Sequence, residues 1–345
     1  MAAFSVLDLS PIVEGATAAD ALRDSLQLAR AAEALHYRRY WIAEHHNMPG
    51  IASAATAVVI AHIAAGTRTI RVGSGGVMLP NHAPLIIAEQ FGTLASLYGE
   101  RIDLGLGRAP GTDPITTRAL RRDPAGGAEQ FPQEVQELQS YFDTSAGAAP
   151  AIIPGAGLHV PIWLLGSSLF SAQLAALLGL PFAFAAHFAP EQLRSALSIY
   201  RTRFRVSRDC AAPYAMVCVN VIVADSDAAA RRLFTSHQQA FLQLRRGRPG
   251  KLPPPIDAIE DFCSGPERLM LEQAMRYSFV GSIATVEHAL QEFLRLTEAD
   301  ELMVHVMVHD QPARRHSLAL TAQIRDRLDA VSAAAASAAA DGGSG

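Results

Sequence analysis

Residues 70–107 read IRVGSGGVMLPNHAPLIIAEQFGTLASLYGERIDLGLG. The segment 70–79 is rich in β-branched and apolar residues and predicts a strand. Residues 85–98 place apolar side chains at helical spacing and stop at Gly99, and 102–107 returns to a strand. A strand, a helix and a strand joined by short turns make a parallel crossover unit. The same alternation extends to both sides. FSVLDL (4–9) predicts a strand, 17–36 a helix carrying Ala21, Leu22, Leu26, Leu28, Ala32 and Leu35 on one face, and 40–44 a second strand. A second helix opens at Ser53, read as its N-cap. Beyond residue 107, strands are expected at 162–165, 182–185, 214–224 and 302–309. Helices are expected at 169–178 (ended by Gly179), 190–204 and 314–328. Eight strands alternating with helices predict a closed (β/α)8 TIM barrel rather than an open doubly wound sheet.

Two stretches interrupt this rhythm. Residues 111–153, after strand four, carry RALRRDP, a helical EQFPQEVQELQSYF and a loose SAGAAP. Residues 243–280, after strand seven, carry RRGRPGKLPPPID and a helical ERLMLEQAM. Both leave the C-terminal ends of strands, the face where barrel active sites lie, so they read as lids or substrate walls, or as plain surface insertions. Of 345 residues, 50% are hydrophobic and 18% charged, enough to bury a large core. The formal net charge of −4 argues against a dedicated nucleic-acid binder. Cys210, Cys218 and Cys263 form no CxxC and no even framework, which fits a reducing cytoplasm and no structural metal. No basic segment precedes the apolar MAAFSVLDLSP, so no signal peptide is expected. No apolar run is long enough to span a membrane. Residues 1–330 are expected to form one barrel domain, and the small-residue stretch 331–345 a tail outside it.

The chemistry concentrates at the predicted strand ends. No GxGxxG opens the first unit and no GxxxxGK[ST] occurs, which excludes the usual dinucleotide and P-loop sites. An anion cradle is nevertheless written into IWLLGSSLFSAQLAALLG. The strand runs through Gly166 into Ser167 and Ser168 and then into a helix, bringing hydroxyls and free N–H groups together at a helix N-terminus. Simple N-capping by serine is the alternative reading. Arg108 ends strand four in DLGLGRAPG and points to the same mouth, where a guanidinium fork suits a phosphate. Gly75 and Gly76 stand inside strand three, where glycine weakens a strand unless something approaches closely, so they leave room for a flat ring. Strand two ends in Glu44-His45-His46. Neighbouring side chains on a strand point opposite ways, so the two histidines do not share an ion. His305 and His309, ~13 Å apart on an extended strand, do not chelate one either. One histidine acting as a proton carrier or hydrogen-bond donor is the expectation, with no metal.

WIAEHHNMPGIASAA (41–55), VGSGGVMLPNHAP (72–84), AEQFGTLASLYGERIDLGLGRAPGTD (88–113) and GLPFAFAAHFAP (179–190) together resemble the bacterial luciferase-like flavin-dependent monooxygenases. The resemblance runs from about Phe4 to Leu328. It implies a (β/α)8 barrel that binds reduced FMN (FMNH2), takes up O2 at flavin C4a and oxygenates a small organic substrate. It places His45 at the family's catalytic histidine, Arg108 and Ser168 at phosphate contacts, and Gly75-Gly76 at a non-prolyl cis peptide behind the flavin ring. Ser167 stands where the luciferase pattern has a glutamate, which leaves that contact open. A separate NAD(P)H:flavin reductase is the implied source of FMNH2, since the chain has no nucleotide fingerprint. Two other readings use the same fold: an oxidoreductase using the deazaflavin F420, and a flavin-binding protein without turnover. The stretch SAATAVVIAHIAA (53–65) is apolar nearly all round, and the neighbouring helix 85–98 carries Glu89 as its only charge. Two such helices side by side predict a homodimer built on them, as the resemblance also implies.

Overall fold

Side-chain alternation decides what each strand faces. On β1 (Ala3–Asp8) Phe4 and Val6 join the large core under the helices, and Leu7 joins a smaller cluster with Trp41, Trp163, Ala183, Met216, Cys218 and Met303. These residues come from β2 (Arg39–Ile42), β6 (Ile162–Gly166), β7 (Phe182–Ala185), β8 (Ala215–Val223) and β10 (Glu301–His305). The smaller cluster is therefore the barrel interior, and the larger one the layer between barrel and helices. The computed structural model describes residues 2–109, 116, 119–120, 127–143 and 152–341. Its strands pair in parallel in the order β10-β1-β2-β3-β5-β6-β7-β8, with β3 at Arg71–Ser74 and β5 at Ile102–Gly107, and β8 pairs β10 to close the ring. This is the expected (β/α)8 barrel.

The helices follow the strands. They are α1 (Ala18–Ala34), α2 (Thr56–Ala65), α3 (Pro84–Tyr98), α4 (Gly127–Phe142), α5 (Leu169–Leu178), α6 (Leu193–Arg203), α7 (Asp227–Arg245), α8 (Gly265–Ala274), α9 (Ile283–Thr297) and α10 (Gln311–Asp341). Thr17 and Asp20 form a capping box at the start of α1, and Gly179 closes α5 in the left-handed conformation.

Several boundaries differ from the sequence reading. The third strand is not continuous over 70–79. It breaks at the cis peptide Gly75-Gly76, and the short β4 (Val77–Met78) resumes pairing with β5. Ser53 does not cap α2. Its hydroxyl donates to the carbonyls of Ala43 and Leu9, and the helix starts three residues later with Ala55 at the cap. The last strand ends at His305. The stretch 243–280 is not wholly an insertion: its end forms β9 (Ser278–Gly281), which pairs with the upper half of β8 while β10 pairs with the lower half. The expected helices in 129–142 and 267–275 are present as α4 and α8. Most of RALRRDP, all of SAGAAP and residues 342–345 lie outside the described residues.

Two buried charge clusters fix the barrel. Near its N-terminal end, Arg39 donates to Glu301 at 2.9 Å and to Asp103 at 2.8 Å, while Arg71 donates to Asp103 from the other side. Outside the barrel wall, Asp8 accepts from Arg314 of α10 at 2.7 Å, from the Tyr40 hydroxyl at 2.6 Å and from Ser10 N–H at 2.9 Å. Burial alone pushes the Asp8 carboxyl up, but the Arg314 guanidinium beside it and the Ser25 and Tyr40 hydroxyls hold it below its ordinary value. Arg314, 1% exposed, also donates to the Val306 carbonyl and so locks the last helix onto the first and last strands. Arg314→Met is expected to leave Asp8 charged and unpaired and to lower stability by about 3–5 kcal/mol in urea unfolding. A loss under about 1 kcal/mol would show that the pair is not what fastens α10.

Candidate active site

The C-terminal mouth of the barrel opens into one cavity of about 1060 Å³. All six residues singled out from the sequence line it: His45, Gly75, Gly76, Arg108, Ser167 and Ser168. At one end, the strand–turn–helix GSSLF carries Ser168 as the N-cap of α5 in extended conformation, with no side-chain capping bond. Its hydroxyl is therefore left for a ligand, which weakens the simple capping alternative. The Leu169 N–H is taken by Gln192 Oε1 at 3.1 Å. Arg108 has no ion-pair partner among the described residues, and its guanidinium lies 4.2 Å above the centre of the Phe170 ring. An unpaired cation, two serine hydroxyls and a helix N-terminus in one place suit a phosphate.

The Gly75-Gly76 peptide forms part of the cavity wall, but the reason for glycine differs from the expected room for a ring. A Cβ at Gly75 would lie 2.7 Å from Leu7 Cδ1. One at Gly76 would lie 2.6 Å from the Gly105 carbonyl oxygen. The protein's own inner wall already excludes side chains at both positions. Of the neighbouring glycines, Gly107 meets only the Val77 carbonyl oxygen, at 3.7 Å.

The other end of the cavity is a chamber of imidazoles. His45 is joined there by His187, at the end of β7, His237, on α7, and His305, the last residue of β10. The rings of His187 and His237 lie 5.3 and 5.2 Å from that of His305. Burial pushes all four below the ordinary histidine value, His187 to about 3 and His237 to about 4. Each has one buried ring nitrogen without a hydrogen-bond partner: Nδ1 of His45, His187 and His237, and Nε2 of His305. Sequence reasoning missed three of the four. His187 stands within the quoted GLPFAFAAHFAP, but His237 lies mid-helix and carries no local signal. His305 was weighed only as a metal ligand.

The two adjacent histidines part company as expected. His45 faces the cavity, while His46 turns away and bonds Glu44 Oε1 at 2.6 Å. His82 meets the same oxygen at 2.8 Å, and Met78 N–H donates to Glu44 Oε2 at 3.1 Å. The ligand atoms of Glu44, His46 and His82 lie within 4.8 Å of one another, a carboxylate–imidazole cluster absent from the sequence reading. Burial raises the Glu44 carboxyl, but the bonds from His46 and His82 bring it below its ordinary value; the bond to Glu44 in turn raises His46.

A profile of the luciferase-like monooxygenases matches residues 3–341. The chain belongs to the luciferase-like monooxygenase family. It is an oxidoreductase on that ground. This luciferase-like monooxygenase is 56% identical over 328 residues to a luciferase-like monooxygenase of Escherichia coli (strain K12), covering 94% of this chain and 98% of the relative. N-acetyl-S-alkylcysteine monooxygenase of Bacillus subtilis (strain 168) is 43% identical over 190 residues, 54% of this chain and 57% of that protein. The crystal structure of apo-MsnO8 is similar with a TM-score of 0.89 at 38% identity, over 94% of this chain and 99% of the other.

The imidazole chamber predicts an acid-sensitive fold. An unfolded histidine binds a proton below pH about 6.5, whereas folded His187 resists until about 3 and folded His237 until about 4. Their contribution is complete above the unfolded value and falls with acid by up to about 1.4 kcal/mol per pH unit for each ring. His46, raised by Glu44, acts in the opposite sense and offsets part of this. Guanidinium unfolding should therefore give a lower midpoint at pH 5.5 than at 7.5, with the difference reduced in His187→Gln and His237→Gln. A midpoint that does not move with pH in the wild type would contradict the burial argument.

Proposed function

We propose that this chain is an FMN-dependent monooxygenase. It holds the phosphate of reduced FMN at Arg108, Ser167 and Ser168, lays the flavin ring along Gly75-Gly76, and oxygenates a small organic substrate beside His45. What supports this most is the continuity of one cavity from Arg108, a cation with no ion-pair partner among the described residues, at a helix N-terminus to a chamber of buried imidazoles. That polarity matches an anionic tail at one end and neutral chemistry at the other. When bound, reduced FMN supplies the electron pair that activates O2. The chain's own residues bind, orient and exclude water. His45, buried and neutral, has an unpaired Nδ1 with which to hold or hand over a proton. A separate NAD(P)H:flavin reductase supplies the reduced flavin, because no dinucleotide fingerprint is present. The relative that oxidises N-acetyl-S-alkylcysteines suggests small sulfur-bearing organic compounds as first substrates to try.

Arg108→Ala should weaken FMN binding by ~2 kcal/mol, the scale of a charge-assisted hydrogen bond, without unfolding the chain. His45→Ala should keep FMN affinity and lower oxygenation by about 10²-fold, whereas His46→Ala should chiefly lower stability. Unchanged FMN affinity in Arg108→Ala, or tighter binding of F420 than of FMN by the wild type, would replace this reading with the deazaflavin one or with another ligand. FMN binding without turnover of any substrate would leave a flavin carrier.

The chain is further proposed to act as a homodimer across α2 and α3. Val58 is 70% exposed, Ile86 46% and Leu97 65%, all on these two adjacent helices. Three exposed aliphatic side chains on neighbouring helices form a patch that a two-fold axis buries symmetrically. Ala57 and Ala61, by contrast, pack inward against the core, so Val58 is the residue to change. Light scattering should show a wild-type dimer and a folded Val58→Arg monomer. A wild type that stays monomeric at micromolar concentration would end the proposal.

A further inference from the structure

His305 differs from the other imidazoles of the chamber in one respect: the chain decides which of its nitrogens carries the proton. Asn220 lies beside it on β8, in register with it across the sheet. The Asn220 side chain faces the His187 carbonyl oxygen at 2.7 Å, and a carbonyl can only accept. The atom facing it is therefore the NH2 group, which also reaches Ser278 Oγ at 3.0 Å. That leaves the Asn220 carbonyl oxygen, Oδ1, facing His305 Nδ1 at 2.9 Å. An amide oxygen has no hydrogen to give, so Nδ1 donates and the neutral ring's Nε2 is bare.

The position of that bare nitrogen follows from the strand. Val304 packs outward into the helix layer, while Met303 packs into the barrel interior, so His305 also points inward. Its ring lies one layer above Met303, on the wall of the cavity. Nε2 is on the ring edge farthest from the backbone. The residue is 3% exposed, and Nε2, itself buried, has no hydrogen-bond partner among the described residues. A buried acceptor without a donor is destabilising, and this one belongs to a residue that lines the cavity. The same cavity is lined by the apolar Phe188, Phe241, Met270 and Met307, with Glu191, Arg245 and Gln273 among its polar members.

We propose that His305, fixed in one tautomer by Asn220, is a substrate-recognition residue. It accepts a hydrogen bond from an O–H or N–H group on an otherwise apolar substrate. The inference rests on the reading that this cavity holds an organic substrate, and not on which cofactor lies beside it. Asn220 acts through His305 and is a positioning residue.

The test uses the full chain labelled with 15N-histidine, and two probes of matched shape: 1-octanol, which carries a donor, and octyl methyl ether, which does not. The His305 signals are assigned by their loss in His305→Leu. They should show a protonated Nδ1 and a bare Nε2. Octanol should move the Nε2 resonance and bind about tenfold more tightly than the ether, the scale of one hydrogen bond. The preference should vanish in His305→Leu and weaken in Asn220→Leu. A proton found on Nε2, equal binding of the two probes, binding of neither, or a preference that survives His305→Leu overturns the proposal. No flavin is needed for any of these measurements, so failure of FMN to bind is a separate result.

Discussion

Everything at the mouth of this barrel depends on how its bottom is closed. Arg39 projects into the barrel between Asp103 of β5 and Glu301 of β10, and its guanidinium lies 4.6 Å above the centre of the Trp163 ring. Arg71 adds a second cation to Asp103, Ser5 donates to Glu301, and Tyr214 donates to Glu301 at 2.8 Å. Arg39 and Arg71, with Arg38 at 4.0 Å from Glu301, face two carboxylates that also accept hydrogen bonds, the condition under which a buried ionic layer is tolerated. The layer joins β1, β2, β3, β5 and β10, and Tyr214 just before β8, through side chains, in addition to the backbone ladder. It is also directional. Forked guanidinium–carboxylate contacts accept one registry of the strands and not its neighbours, so the layer fixes which residues stand above it.

Above that floor the interior fills with Trp41 and Trp163, packed edge to face 5.2 Å apart, together with Met216 and Met303. These large side chains occupy the lower half of the barrel. Glycines stand beside this packing on the neighbouring strands, Gly73 in register with Trp41 and Asp103, and Gly105 in register with Trp163. Gly73, Gly75, Gly76 and Gly105 are held so close to neighbouring backbone or side chains that a Cβ at any of them would come within 2.7 Å of another atom. The strand-three glycines were legible as special in sequence, and the close packing around them is one reason they are glycine. Their first duty is to let the barrel wall fold in on itself. Any flat ligand then uses the surface this creates.

The fold was readable because a parallel barrel writes itself locally. Each unit needs an apolar run, a turn, a helix with one apolar face and a glycine stop, and 70–107 supplies all of them within thirty-eight residues. What was not readable depended on distant partners. Ser53 looks like a helix cap until the Ala43 and Leu9 carbonyls claim its hydroxyl. The strand at 278–281 is hidden inside a polar stretch because only the overhanging half of β8 gives it a partner. The turn that carries Ser167 and Ser168 was legible, since strand, serines and helix N-terminus are contiguous. The imidazole chamber was not, because its members come from the ends of three strands and the middle of a helix. A single histidine on α7 has no pattern of its own until the barrel brings it to the wall.

Burial keeps the chamber uncharged, and the carboxylate next to His45 in the sequence is bonded to other partners. Glu44 is 2% exposed and adjoins His45, and its negative charge would favour protonation of that ring. His46 and His82 both bond one of its oxygens, and Met78 N–H bonds the other. Both carboxylate oxygens are thus engaged, although the residue itself is part of the cavity lining. With Glu44 held there, burial dominates at His45, and its folded value stays below the ordinary one. A neutral imidazole can accept or donate, whereas an imidazolium only donates, so the pairing of Glu44 preserves both options at the residue best placed to use them. The His45-His46 doublet is therefore split by its surroundings: His46 bonds the Glu44 carboxylate, and His45 faces the cavity as a buried ring.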